Sequence, residues 1–125
     1  MKFTEHRDSH VYAVKDYQPG LVTVNDLPLQ QSCIISQHDL NPAWGCDHID
    51  ALTPTHLDAL LAFSPEVILL GTGETQHFPA PHLIAHCAEQ GIGIEAMTNL
   101  AACRTYNVLT TEDRAVVLAL MMQSD

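Results

Sequence analysis

The residues best placed to do chemistry follow an apolar run. Glu66 to Leu70 (EVILL) lies between Pro65 and Gly71, and Gly71-Thr72-Gly73-Glu74 comes directly after it. Two glycines let a backbone bend sharply and approach a ligand closely. The pattern is not a dinucleotide fingerprint, which would need glycine at Gln76, nor a P-loop, since no Lys-Ser/Thr follows. Glu74 would also repel a phosphate. The plainer reading is a tight strand-to-helix turn. A second polar cluster, Met97-Thr98-Asn99, follows the run Ile92 to Ala96. If both runs are parallel strands of one sheet, the two loops meet at its carboxyl edge, where open α/β sheets commonly bind ligands. Gly71, Thr72, Gly73, Glu74, Met97, Thr98 and Asn99 are therefore the candidate ligand-binding or partner-binding residues.

Three further groups carry chemistry-bearing side chains. His82 and His86 stand four apart, with Glu89 three residues on. On a helix this spacing shares one face, as metal ligands need. Leu83, Ile84, Cys87 and Ala88 fall on the opposite side, so the histidines read as a solvated face and no metal site is assigned. His77 lies just upstream, in a loop whose geometry the sequence does not give. Cys46-Asp47-His48 puts a thiol near an imidazole, but catalytic pairs are usually distant in the chain, and no GxSxG elbow occurs. No catalytic residue is assigned; whether the protein is an enzyme stays open, leaning to no, and no cofactor is expected. In Cys103-Arg104-Thr105-Tyr106-Asn107, Cys103 and Tyr106 read as core. Arg104 is kept as a candidate contact for an anion or partner; for Asn107 the sequence offers no structural reason.

The elements that would hold these groups follow from the hydrophobic pattern. The first third is β-rich: Val11–Gln18 and Leu21–Val24 flank the turn dipeptide Pro19-Gly20, and Asn25-Asp26 turns the chain into Leu27–Gln31. Cys33, Ile34 and Ile35 read as a short buried strand. Thr53-Pro54 announces a helix, a capping hydroxyl followed by a proline at the first helical position, and Ser64-Pro65 ends it. EVILL suits a strand covered on both faces. A helix from Pro81 to Gln90 closes at Gly91, Ile92–Ala96 is a strand, and Thr98 caps a helix to about Leu109. Ala115–Met122 fits a helix or a buried strand; strand is chosen. The second half then reads βαβαβ, with a parallel or mostly parallel sheet and right-handed crossovers.

Bulk composition bounds the function. The chain has 125 residues, enough for one domain, with 46% hydrophobic content. A single domain over 1–125 is expected, with residues 1–10 as a polar arm. Fifteen Asp and Glu stand against five Lys and Arg, a formal charge of −10, which repels nucleic acid and anionic lipid. The longest apolar run, Ala115–Met122, is too short to cross a bilayer, which takes about 20 residues, and the N-terminus lacks the apolar core of a signal peptide. Cys33, Cys46, Cys87 and Cys103 form no CxxC and read as reduced, packed thiols. A cytoplasmic protein is expected.

The second half also resembles a known family. The matching positions are Pro65 to Gly73, Phe78, Pro79, Gly91 to Glu95, Met97, Thr98, Ala102, Cys103, Thr105 to Asn107, Leu109, Glu112 and Arg114. They resemble a family of domains of unknown function that includes a mitochondrial assembly factor for respiratory complex I and an adipogenesis-associated domain protein. The resemblance implies a three-layer α/β fold, with a mixed sheet and an added β-rich part, and no established catalytic residues. It also implies an accessory or assembly role exercised through a protein partner. The competing expectation is a small-ligand binder or unassigned enzyme using the edge near Gly71–Glu74 and Met97–Asn99.

Overall fold

Alternation of side chains along three adjacent strands divides the interior in two. The strands are β4 (Cys33–Ile35), β6 (Val67–Gly71) and β8 (Val116–Leu120) of a computed structural model that describes residues 11–122. Cys33, Ile35, Val67, Leu69, Val116, Leu118 and Leu120 face one core. Ile34, Ile68, Leu70, Val117 and Ala119 face the other. Period-two alternation with both faces apolar is what a sheet covered on both sides requires.

These strands belong to a five-stranded sheet of order β5-β4-β8-β6-β7, where β5 is Leu40–Asn41 and β7 is Gly93–Met97. Strand β6 pairs in parallel with β7 and with β8, whereas β8–β4 and β4–β5 are antiparallel. The sheet is therefore mixed, and its parallel half is the expected βαβαβ unit. Within residues 115–122, Val116–Leu120 form the strand β8, the chosen alternative. On one face lie α1 (Pro54–Leu61) and α2 (Pro81–Ala88); on the other lie α3 (Asn99–Thr111) and an antiparallel meander of β1 (Val14–Gln18), β2 (Leu21–Val24) and β3 (Leu27–Leu29). Helices, sheet, and helix plus meander make three layers, a three-layer α/β fold. The expected polar arm, residues 1–10, lies outside the described residues.

Local chemistry explains the element ends. Thr53 Oγ1 accepts from the His56 backbone N–H, the His56 ring accepts from the Thr53 N–H, and Pro54 occupies the first helical position, a capping box in which histidine replaces the usual glutamate. Thr98 Oγ1 accepts from the Ala101 N–H and starts α3. Gly91 leaves α2 with φ +79°, a left-handed conformation that glycine adopts without strain. The pattern of α2 misled at two positions. Ile84 is 40% exposed and Ala88 is exposed, while only Leu83 and Cys87 reach the core. An eight-residue helix at the flank of the sheet covers a narrow stripe of it.

Candidate functional site

The parallel pairing of β6 with β7 aligns Gly71 with Met97, so the loops that follow the two strands are neighbours. Thr72 donates from its backbone to Met97 O at 2.9 Å, and Asn99 donates from its backbone to Gly73 O at 2.8 Å. The side chain of Asn99 returns the bond: its Oδ1 accepts from the Gly73 N–H at 3.0 Å. Its Nδ2 donates to Met121 O and to the Tyr17 hydroxyl, each at 3.0 Å. Asn99 is 1% exposed, so a residue of ligand-binding type is here the rivet between two loops and the last strand.

The other residues of this edge are tied in the same way. Thr72, also buried, donates from its hydroxyl to Thr75 O at 2.8 Å and accepts from the His77 N–H at 3.0 Å, which holds the loop as a closed turn. Thr98 is occupied as the cap of α3, and Met97 packs against the core while accepting from the Thr105 hydroxyl. Gly71 has no room for a side chain: an added Cβ would run into Asn99 Oδ1 and lie 2.8 Å from Leu120 Cδ2. Gly73 takes φ +92°. Glu74 accepts a hydrogen bond from the Tyr17 hydroxyl of β1. Tyr17 is held protonated by its burial and by that carboxylate, both of which raise its pKa.

What stays open at this edge is a pocket of about 140 Å³, lined by Tyr17, Gly20, Thr72, Glu74, His77 and Met122 among others. Tyr17 and His77 thus join the sequence-derived residues here. Tyr17 sits in the polar segment VKDYQ, where no spacing marks it, and only the docking of the meander brings it over Asn99.

Arg104 lies elsewhere, exposed on α3, in a groove of about 440 Å³ with Val14, Lys15, Asp16, Tyr17, Leu100, Cys103 and Asn107. Asn107 has the structural role its sequence did not disclose. Its Oδ1 accepts from the Val14 N–H at 3.0 Å and its Nδ2 donates to Val14 O at 2.8 Å, clipping β1 to α3.

The remaining chemistry-bearing residues do not assemble. No three His, Cys, Asp or Glu side chains among the described residues are grouped to hold a metal ion. His82 is exposed, while His86 Nε2 lies 2.7 Å from Asp58 Oδ1 of α1 and so joins two helices. Cys46 Sγ contacts the carbonyl oxygen of His48, not its ring, at 3.5 Å. All four cysteines are free and buried. Burial pushes the Cys33 and Cys103 thiols up to about 12 and Cys46 to about 11, and raises Cys87 as well. A thiol nucleophile needs the opposite environment.

Known proteins share this architecture. The chain is similar to a protein of Xanthomonas campestris whose solution structure superposes with TM-score 0.84 at 44% identity, over 98% of this chain and 92% of that one. It is also similar to a Mth938-like domain from Bordetella pertussis, with TM-score 0.79 and 28% identity, over 91% of this chain and 87% of that one. A curated relative, the 13 kDa major membrane protein of Francisella tularensis subsp. holarctica (strain LVS), is 43% identical over 70 residues; the match covers 56% of this chain and 57% of the relative. Among the described residues, no helix is long and apolar enough to cross a membrane. The profile of the family described as protein of unknown function DUF498/DUF598 matches residues 14–121, and the chain belongs to that family.

Proposed function

We propose that the protein is a non-enzymatic accessory or assembly factor that works through contact with another protein. The observation that carries this reading is the internal use of the polar groups at the sheet's carboxyl edge. Asn99, Gly73, Tyr17 and Glu74 are bonded to one another, and the pocket that remains, about 140 Å³, is smaller than the roughly 300 Å³ at which small-molecule sites begin. The buried thiols add support, because none has the environment of a nucleophile. Resemblance to the family that includes a respiratory complex I assembly factor points to help in building a larger complex.

The formal charge of −10 favours a protein over nucleic acid as partner, and the cytoplasm is the proposed setting. One relative is called a membrane protein. No described helix of this chain is long and apolar enough to span a bilayer. Cross-linking in intact cells followed by capture tests the reading. The same partner protein should be recovered across mild salt conditions, and recovery of none would overturn it.

A second reading, a small-ligand binder or unassigned enzyme, has one observation in its favour: Tyr17, Glu74 and His77 converge on the same small pocket. A thermal-shift screen with a metabolite library separates the two. A ligand at a hundredfold excess over its Kd adds about 2.7 kcal/mol of stability, and a shift of that size, absent in Glu74→Ala, would favour the second reading.

A further inference from the structure

The groove between β1 and α3 has a charge opposite to that of the molecule around it. The chain has only five Lys and Arg, and two of them, Lys15 and Arg104, line this one groove. Neither is paired with a carboxylate among the described residues, whereas Arg114 is paired with Glu66 at 3.2 Å. One carboxylate, Asp16, shares the lining, so the local balance is still positive in a strongly acidic protein.

Two features of the backbone build the groove. The pairing of β1 with β2 slips between Val14 and Asp16: Val14 faces Val24 and Asp16 faces Thr23, leaving Lys15 as an extra residue. Such a bulge re-aims a side chain out of the regular alternation, and here the re-aimed residue is the lysine. One residue earlier, the two hydrogen bonds from Asn107 to Val14 fix β1 against α3, which sets the groove's width. Cys103, 3% exposed, lies at its base.

The outer face of α3 extends the groove with apolar surface. Leu100, Arg104 and Val108 stand at i, i+4 and i+8 and therefore on one helical face. Leu100 is 43% and Val108 57% exposed. An aliphatic residue one turn to either side of an unpaired arginine matches a segment with apolar anchors and carboxylates between them, the helix-in-groove mode of recognition. A small anion would use the cations and leave Leu100 and Val108 in water.

Resting on the accessory reading above, we infer that the groove between β1 and α3 binds an acidic, amphipathic segment of the partner protein. Lys15 and Arg104 contact its carboxylates, and Leu100 and Val108 contact its apolar side chains.

The test selects peptides from a random 16-residue display library on the intact chain and maps them by backbone amide shifts of the ¹⁵N-labelled protein. The expected peptides are rich in Asp and Glu, interleaved with Leu, Ile or Phe, and shift the amides of Lys15, Leu100, Arg104 and Val108. Arg104→Glu and Lys15→Glu should each weaken them by about tenfold, with unchanged spectra elsewhere as proof of folding, while Arg114→Glu should leave binding unaltered. Basic peptides, shifts outside the groove, or no binder at all would overturn the inference. So would groove shifts with inorganic phosphate or citrate but not with peptide. Peptides that bind elsewhere on the surface would remove this groove and leave the accessory reading standing. Substrate turnover at the Glu74 pocket would remove the accessory reading itself.

Discussion

Asn99 and Gly73 bond each other twice: the Asn99 backbone N–H donates to Gly73 O at 2.8 Å, and the Gly73 N–H donates to Asn99 Oδ1 at 3.0 Å. This reciprocal pair locks the loop after β6 to the start of α3. It uses the helix-terminal polar groups that α/β sheets elsewhere offer to ligands.

Asn99→Ala would leave the buried Gly73 N–H and Met121 carbonyl without their side-chain partner. Each unsatisfied group costs about 1–3 kcal/mol, so urea denaturation should show a loss of about 2–6 kcal/mol. Asn99→Asp should be no milder at neutral pH. A carboxylate can accept from Gly73 but cannot donate to Met121 O, and it would be a buried charge.

Gly71→Ala tests the closeness of β6 to α3 and β8. The new methyl would collide with Asn99 Oδ1 and with Leu120 Cδ2 at 2.8 Å, inside two groups already fixed by packing. Overpacking of this kind costs about 1–3 kcal/mol. A lowered Tm, together with amide shift changes at Asn99 and Leu120, is the expected signature.

Asn107→Ala removes both side-chain bonds to Val14 and should act locally. Amide exchange at Val14 should speed up by roughly tenfold, while the β6 and β8 amides keep their protection, because edge elements open at lower free energy than the core. Equal acceleration throughout the chain would show that β1 is part of the global folding unit.

Alkali should unfold the protein through its thiols. Cys33 and Cys103 titrate at about 12 and Cys46 at about 11 when folded, against 9.0 ordinarily. A group whose folded pKa is raised contributes its full stability below the ordinary value and loses it as pH climbs toward the folded one. Stability should therefore be unaffected by these thiols below pH 9 and fall between 9 and 12. Each thiol contributes about 1 kcal/mol per pH unit in that window. Denaturation midpoints from pH 7 to 11 check this, and replacing Cys33 with alanine should flatten the slope although the variant starts less stable.

Much of the architecture was legible because local chemistry and global position agree. The run through Leu70 is apolar on both faces and ends at a glycine, which only a covered strand explains. Pro54 and Pro81 sit at first helical positions, and Thr98 supplies a cap. Those signals also brought Gly73 beside Asn99. What the sequence withheld depends on side chains that meet across long stretches of chain. Tyr17 and Lys15 lie in a polar strand with no periodic mark, and a bulge cannot be seen until the partner strand is in place. Asn99 stood among the ligand-binding candidates because it follows a strand at the sheet's carboxyl edge. It is buried because β8 and the meander both close over it.

Strand β8 has a consequence for how the protein assembles. It stands between β4 and β6 and, among the described residues, is the strand that joins the β4–β5 hairpin to β6 and β7. Cys33 waits for Leu120, and Val67 waits for Val116. Neither half can complete its ladder in isolation, so loop closure over most of the chain must precede the main gain in bonding. Refolding from urea should therefore be slow for a domain of this size. A chain cut in the turn between α3 and β8 should fail to join β4 to β6 and should recover the five-stranded sheet when the missing strand is supplied as a peptide.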